Sequence, residues 1–180
     1  MALIDGCVHY RKYDSNGTFN DTIGSLNGTL NWVTFTTSAK INWWYSFTTN
    51  DSISFSSLWS IPSGSSSRTF AMRIKPQDAL QTLWTFFGYW AETTGGMFRT
   101  ALCEDSGANA RKIWFNGYYA DFYGTSQLTL WTRYLVWFTY DGTDIEIFVN
   151  WVSDGSSTLA LNTSTTTNFK LWVYPVSSAN

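Results

Sequence analysis

The sequence predicts an all-β fold: a single antiparallel two-sheet β-sandwich of jelly-roll type spanning residues 1–180. Three observations lead there. Short runs alternate apolar and polar residues at a period of two, the period at which side chains point to opposite faces of a strand. Asn-Gly, Asp-Gly and Gly-Gly pairs separate those runs and supply the positive-φ residues that hairpins favour. Long amphipathic segments, which parallel βαβ units need as crossovers, are missing. Composition agrees, with 19% aromatic and only 13% charged residues, against about 25% charged in an average soluble chain. Eleven Trp, ten Tyr and thirteen Phe exclude disorder. Glu occurs only at positions 92, 104 and 146 with no heptad repeat, which excludes a coiled coil.

The strands follow in order. Cys7–Tyr13 is the first, ended by the Asn16-Gly17 turn. Thr29–Thr36 follows Asn27-Gly28, and Ile41–Phe47 and Ser52–Phe55 come next. In the fifth run Phe70, Met72 and Ile74 alternate with Ala71, Arg73 and Lys75 before Pro76 stops it; Pro76 to Leu80 is the one candidate helical turn. Thr82–Phe87 and Met97–Cys103 flank Gly95-Gly96, and Lys112–Phe115 runs into Asn116-Gly117. Tyr134–Tyr140 leads through Asp141-Gly142 into the alternation of Ile145, Ile147 and Val149. Asp154-Gly155 marks a further turn, and Phe169, Leu171 and Val173 alternate near the end. Ser63–Ser67 and Ser164–Thr167 are short enough to be loop tips rather than linkers.

Three segments carry a family resemblance. Tyr13-Asp14, Asn20-Asp21-Thr22-Ile23-Gly24 and Asn27-Gly28-Thr29 form the first. Arg68-Thr69-Phe70-Ala71-Met72-Arg73-Ile74-Lys75-Pro76 with Leu83-Trp84-Thr85-Phe86 is the second. The third and most specific runs from Trp131 through Tyr140-Asp141-Gly142 to Ile145-Glu146-Ile147-Phe148-Val149-Asn150. In this order they resemble the laminin-G-like members of the concanavalin A-like lectin/glucanase superfamily. The resemblance implies a concanavalin-like sandwich and says more about fold than about activity. That family adds a closing acidic strand after the segment matching Leu171-Trp172-Val173; this sequence reaches Asn180 without one, so either the sandwich closes differently or an edge is left for a partner.

Chemistry is sparse. A net charge of −2 and a pI near 5.2 argue against nucleic acid as a partner, because phosphate affinity needs clustered Lys and Arg. No apolar run approaches the ~20 residues that span a bilayer, and Met1–Ser15 holds no export-type apolar stretch. Asp144-Ile145-Glu146 is similar to part of the superfamily's glucanase run, yet the next residue on that face is Phe148, so the expectation is no enzyme. His9 beside Cys7 lacks an orienting third group. Cys7 and Cys103 are either a long-range bridge or two buried thiols. The resemblance raises calcium near Asp21, with Asp14 and Asp51; a turn Asp more often caps its own backbone, and no metal or cofactor is assigned.

The rings remain. Trp90, Tyr118, Tyr119 and Tyr123 lie near turns and are the candidate glycan-binding residues, and one of Trp43, Trp44 and Tyr45 must point outward. The resulting expectation is a non-catalytic structural or binding protein, a virion capsid or appendage component. It would be located on a virion or outside cells, self-associating or joining other virion proteins, with a surface glycan as a further partner. The alternative is a secreted carbohydrate-binding module or a degenerate glucanase.

Overall fold

Alternation and turn chemistry produce the strands in the computed structural model, which describes residues 19–21, 23–24, 27–36, 44–46, 51–55, 61–76, 83–164, 169–172 and 175–176. The first predicted strand, the Asn16-Gly17 turn, Cys7, His9, Asp14, Trp43 and the helical turn after Pro76 lie outside the described residues. So do the side chains of Trp44, Tyr45 and Trp90.

The larger sheet has the order β1 (Gly28–Asn31), β4 (Ser52–Phe55), β13 (Phe169–Trp172), β6 (Leu83–Trp90), β7 (Met97–Leu102), β8 (Lys112–Asn116), β9 (Asp121–Gln127), and β14 (Pro175–Val176) also pairs with β6. The smaller runs β12 (Val152–Thr158), β11 (Asp144–Val149), β10 (Tyr134–Tyr140), β5 (Arg68–Ile74). A separate ribbon joins β2 (Thr34–Thr36) to β3 (Trp44–Ser46). All pairings are antiparallel.

The last long strand answers the closure question. β13 inserts between β4 and β6, pairing Leu171 with Ile53 on one side and Phe87 on the other. Among the described residues the larger sheet therefore runs from β1 to β9 with β13 inside it, and Phe19 bridges Gly28 beside β1.

Between the sheets lies an aromatic core. Phe70 of β5 stacks on Phe87 of β6 at 3.8 Å, Phe138 of β10 meets Phe87 edge-on at 5.7 Å, and Phe98 meets Phe115 edge-on at 5.0 Å. Each fully buried ring contributes roughly 1.5–3 kcal/mol by area removed from water. A second core feature is polar. Arg68 at the start of β5 donates from Nε to the Ser66 carbonyl (2.8 Å), from Nη1 to Pro62 O (3.1 Å), Thr163 Oγ1 (2.7 Å) and the Tyr89 hydroxyl, and from Nη2 to Gly64 O (2.7 Å).

Two of the longer strands were not legible as strands in the sequence. β9 reads Asp-Phe-Tyr-Gly-Thr-Ser-Gln and β12 Val-Ser-Asp-Gly-Ser-Ser-Thr, and both hold polar residues and an internal glycine that argue for loops. Their mutual contact explains them. Asp154, 2% exposed, accepts at Oδ1 from the Ser126 N–H (2.8 Å) and Thr125 Oγ1 (3.1 Å), tying the edge of one sheet to the edge of the other. Gly124 makes room, because a Cβ there would overlap Asp154 Oδ2. Asp154-Gly155 is thus inside a strand, beside the register shift at Ile147/Phe148, rather than at the predicted turn. Asn27-Gly28 is also no hairpin tip: Gly28 opens β1, and a Cβ on it would strike Phe19, Ile53 and Phe55.

Candidate binding face on the outer side of the larger sheet

Residues of β7 alternate between two environments. Phe98 and Leu102 join the main core, whereas Ala101, Cys103 and Trp114 form a separate cluster on the other face of the sheet. Register fixes the rest of that outer face. Arg99 pairs with Asn116, which pairs with Asp121; Ala101 pairs with Trp114, which pairs with Tyr123. Cross-strand partners share a face, so β7, β8 and β9 present Arg99, Asn116 and Asp121 in one row and Trp114 and Tyr123 in the next.

The β8–β9 hairpin ends in Tyr118-Tyr119, not in Asn116-Gly117. Both tyrosines have positive φ, 58° and 59°. A bulky residue in this left-handed region is a genuine outlier, costing about 1–2 kcal/mol, and a glycine would avoid the cost. The turn is held by Asn116 Oδ1 accepting from the Tyr118 N–H (2.7 Å), by Gly117 N–H donating to Ala120 O (3.1 Å), and by Gly95 N–H donating to Tyr118 O (3.1 Å). Tyr118 and Tyr119 meet edge to face at 4.9 Å, and Tyr119 is 83% exposed.

Below the tip, Trp114 and Tyr123 stack nearly parallel (13°) with centroids 6.0 Å apart, and Tyr123 is exposed. The Arg99 guanidinium lies 5.4 Å from the Trp114 ring centre and donates from Nε to Thr85 Oγ1 (3.0 Å). Arg99 Nη2 and Trp114 Nε1 are buried donors with no hydrogen-bond partner among the described residues. Burial lowers the Arg99 pKa to about 10, against an opposing pull from Asp121. Asp121 itself is pushed up by burial, while the Gly117 N–H and Arg99 act the other way. Cys103, a free thiol, is pushed up to about 11 by burial, which makes it a poor nucleophile.

Of the four sequence candidates, Tyr118, Tyr119 and Tyr123 fall on one hairpin, and the Trp90 backbone pairs with Met97 at the same end of the sheet. Sequence reasoning missed Arg99, Trp114, Asn116 and Asp121. The available signal was the pairing of Lys112–Phe115 with a following strand, and the sequence analysis names no strand over 121–127.

The smaller sheet carries the carboxylates. Asp144 accepts from Thr158 Oγ1 and Glu146 from Ser153 Oγ, both at 2.6 Å, on an open trough that also includes Thr139, Asp141, Ser156 and Ser157. Backbone N–H groups of Asp144 and Thr143 hold Asp141 below the usual carboxylate range, the wrong direction for a proton donor. Asp21 caps its own turn, accepting at Oδ1 from the N–H groups of Ile23 (3.2 Å) and Gly24 (3.0 Å). No group of three metal-ligating side chains gathers among the described residues.

With this geometry in view, comparison with solved structures decides the fold. Domain 4 of AbnA, an extracellular GH43 arabinanase of Geobacillus stearothermophilus solved with arabinotriose, superposes with a TM-score of 0.69 at 17% identity, over 94% of this chain and 84% of that one. The fold is concanavalin-like. Botulinum neurotoxin type C, whose uptake depends on two ganglioside molecules, matches at TM-score 0.64 and 10% identity, over 99% of this chain and 45% of the toxin chain. A Trypanosoma rangeli sialidase mutant with trans-sialidase activity matches at 0.59 and 10%, over 94% of this chain and 27% of the sialidase. The chain thus spans less than half of these two larger proteins. No family model and no curated protein matches the sequence. The concanavalin-like reading of the three sequence segments therefore holds at the level of fold, and these neighbours lend no support to a virion role.

Proposed function

We propose that this concanavalin-like sandwich is a non-catalytic carbohydrate-binding module acting outside cells, and that it binds oligosaccharide along the outer face of the β8–β9 hairpin. One observation carries the reading: two exposed rings, Tyr119 at the hairpin tip and Tyr123, which stacks on the buried Trp114, lie on either side of a row of hydrogen-bonding groups from Arg99, Asn116 and Asp121. Rings stack against the C–H faces of sugars, and polar groups between them read the hydroxyls. At about 3.4 Å per residue, the distance from tip to Tyr123 suits a short oligosaccharide rather than a single sugar. Support from fold neighbours is by analogy, since an arabinanase domain and a ganglioside-dependent toxin share the architecture. This is the secreted-module alternative, and it displaces the capsid expectation.

Catalysis is absent from the proposal because the Asp144–Glu146 face carries no third acid: Phe148 occupies that position and stacks on Trp137 at 4.8 Å. The test is a glycan array probed with the protein, Trp114→Ala and Tyr119→Ala, and with Trp151→Ala as a control from the other sheet. Binding that falls at least tenfold in the first two and survives in the control supports the reading. Binding that falls only in the control moves the site to the smaller sheet.

A further inference from the structure

The outer face has a surplus of donors. Arg99 is 7% exposed and Trp114 8%, and both keep a donor, Nη2 and Nε1, without a partner. Asn116, in the same row by register, spends its carbonyl oxygen on the Tyr118 N–H, which leaves the NH₂ group as its donor end. The one carboxylate in the row, Asp121, attracts Arg99 electrostatically, but among the described residues no direct ion pair joins the two. A buried guanidinium with a single side-chain hydrogen bond, whose counter-charge Asp121 acts across the row without a direct ion pair, is costly to keep folded. Such a group is tolerated where a ligand completes it.

We infer that the ligand is an acidic saccharide, and that its carboxylate is held by the Nη edge of Arg99 with the Trp114 indole N–H as second donor. This rests on the glycan-binding reading above and names the substrate class. A carboxylate is planar and acceptor-only, so it can take two parallel N–H donors from the fork while the Nε–H stays on Thr85. Nη2 is shielded, so the ligand must displace a neighbour. Tyr123, exposed and stacked on Trp114, is the ring beside the indole donor with room to move. Lowering of the Arg99 pKa to about 10 is consistent with a cation awaiting an anion, and leaves it charged at neutral pH.

The experiment is an array of uronate- and sialate-bearing oligosaccharides, each beside its carboxyl-reduced counterpart and a sulfated analogue, probed with the full chain. The expected result is at least tenfold tighter binding of the carboxylated member of each pair, lost in Arg99→Met and partly kept in Arg99→Lys. Equal binding of acid and reduced forms overturns the inference and leaves the glycan reading standing. Preference for the sulfated analogue overturns the carboxylate assignment. No binding to any member overturns both. Because the acid/reduced comparison is made on the unaltered protein, a misfolded variant does not decide the outcome.

Discussion

Arg68 and Arg99 are both 7% exposed, one between the two sheets and the other on the outer side of the larger sheet, and their hydrogen bonding differs. Arg68 faces the core side, where three carbonyls, a threonine hydroxyl and a tyrosine hydroxyl take its donors and the Phe98 and Tyr140 rings lie 5.2 and 5.5 Å away. Arg99 has one threonine, one indole ring and an unpartnered Nη2. The first is a structural clasp joining the 61–68 segment to Thr163 and Tyr89. The second has the incompleteness expected of a recognition group. Burial alone does not distinguish the two; an account of where each N–H goes does.

That contrast makes predictions of graded size. Arg68→Met removes a donor from the carbonyls of Pro62, Gly64 and Ser66, from Thr163 Oγ1 and from the Tyr89 hydroxyl, and should cost about 4 kcal/mol in urea unfolding, several hydrogen-bond losses of the usual size; a loss below about 1 kcal/mol would erase the distinction. Asp154→Ala unties β9 from β12 and should cost about 2 kcal/mol, with faster amide exchange at Ser126 as the local signature. Tyr119→Gly relieves a left-handed residue and should leave stability unchanged or higher by about 1 kcal/mol, while weakening glycan binding, a split that a purely structural turn would not give.

Arg99→Met should have the smallest effect on stability, at or slightly above the wild-type melting temperature, because an unpaired buried charge is replaced by an apolar chain. The sign with pH follows from a folded-state pKa of about 10, below the ordinary arginine value. The penalty on the charged form is full at neutral pH and fades as pH rises past about 10, so any advantage of the variant should shrink there. Thermal melts of both proteins from pH 7 to 11 measure it. Affinity for an anionic sugar should fall over the same upper range, as Arg99 loses its proton.

Most of the architecture was legible because apolar alternation records burial. Phe70, Met72 and Ile74 announce β5, and Ile145 and Ile147 announce β11. β9 and β12 escaped because their polar residues answer to each other across the sheet edges through Asp154, a long-range contact with no local pattern. The same blindness hid the site. Tyr119 and Tyr123 could be picked as turn-proximal rings, but Arg99 sits in Phe-Arg-Thr-Ala-Leu, where an isolated cation in an apolar strand looks like any exposed face residue. Only the register of three strands puts it beside Trp114 and Asn116.

The most direct test is a nuclear magnetic resonance titration with acidic oligosaccharide, following the indole N–H signals of Trp114, Trp137 and Trp151 and the Nε–H signals of Arg68 and Arg99. Trp114 and Arg99 should shift together with saturation while Arg68, Trp137 and Trp151 stay in place. Movement of Trp137 and Trp151 with Trp114 and Arg99 unchanged would contradict the proposed site.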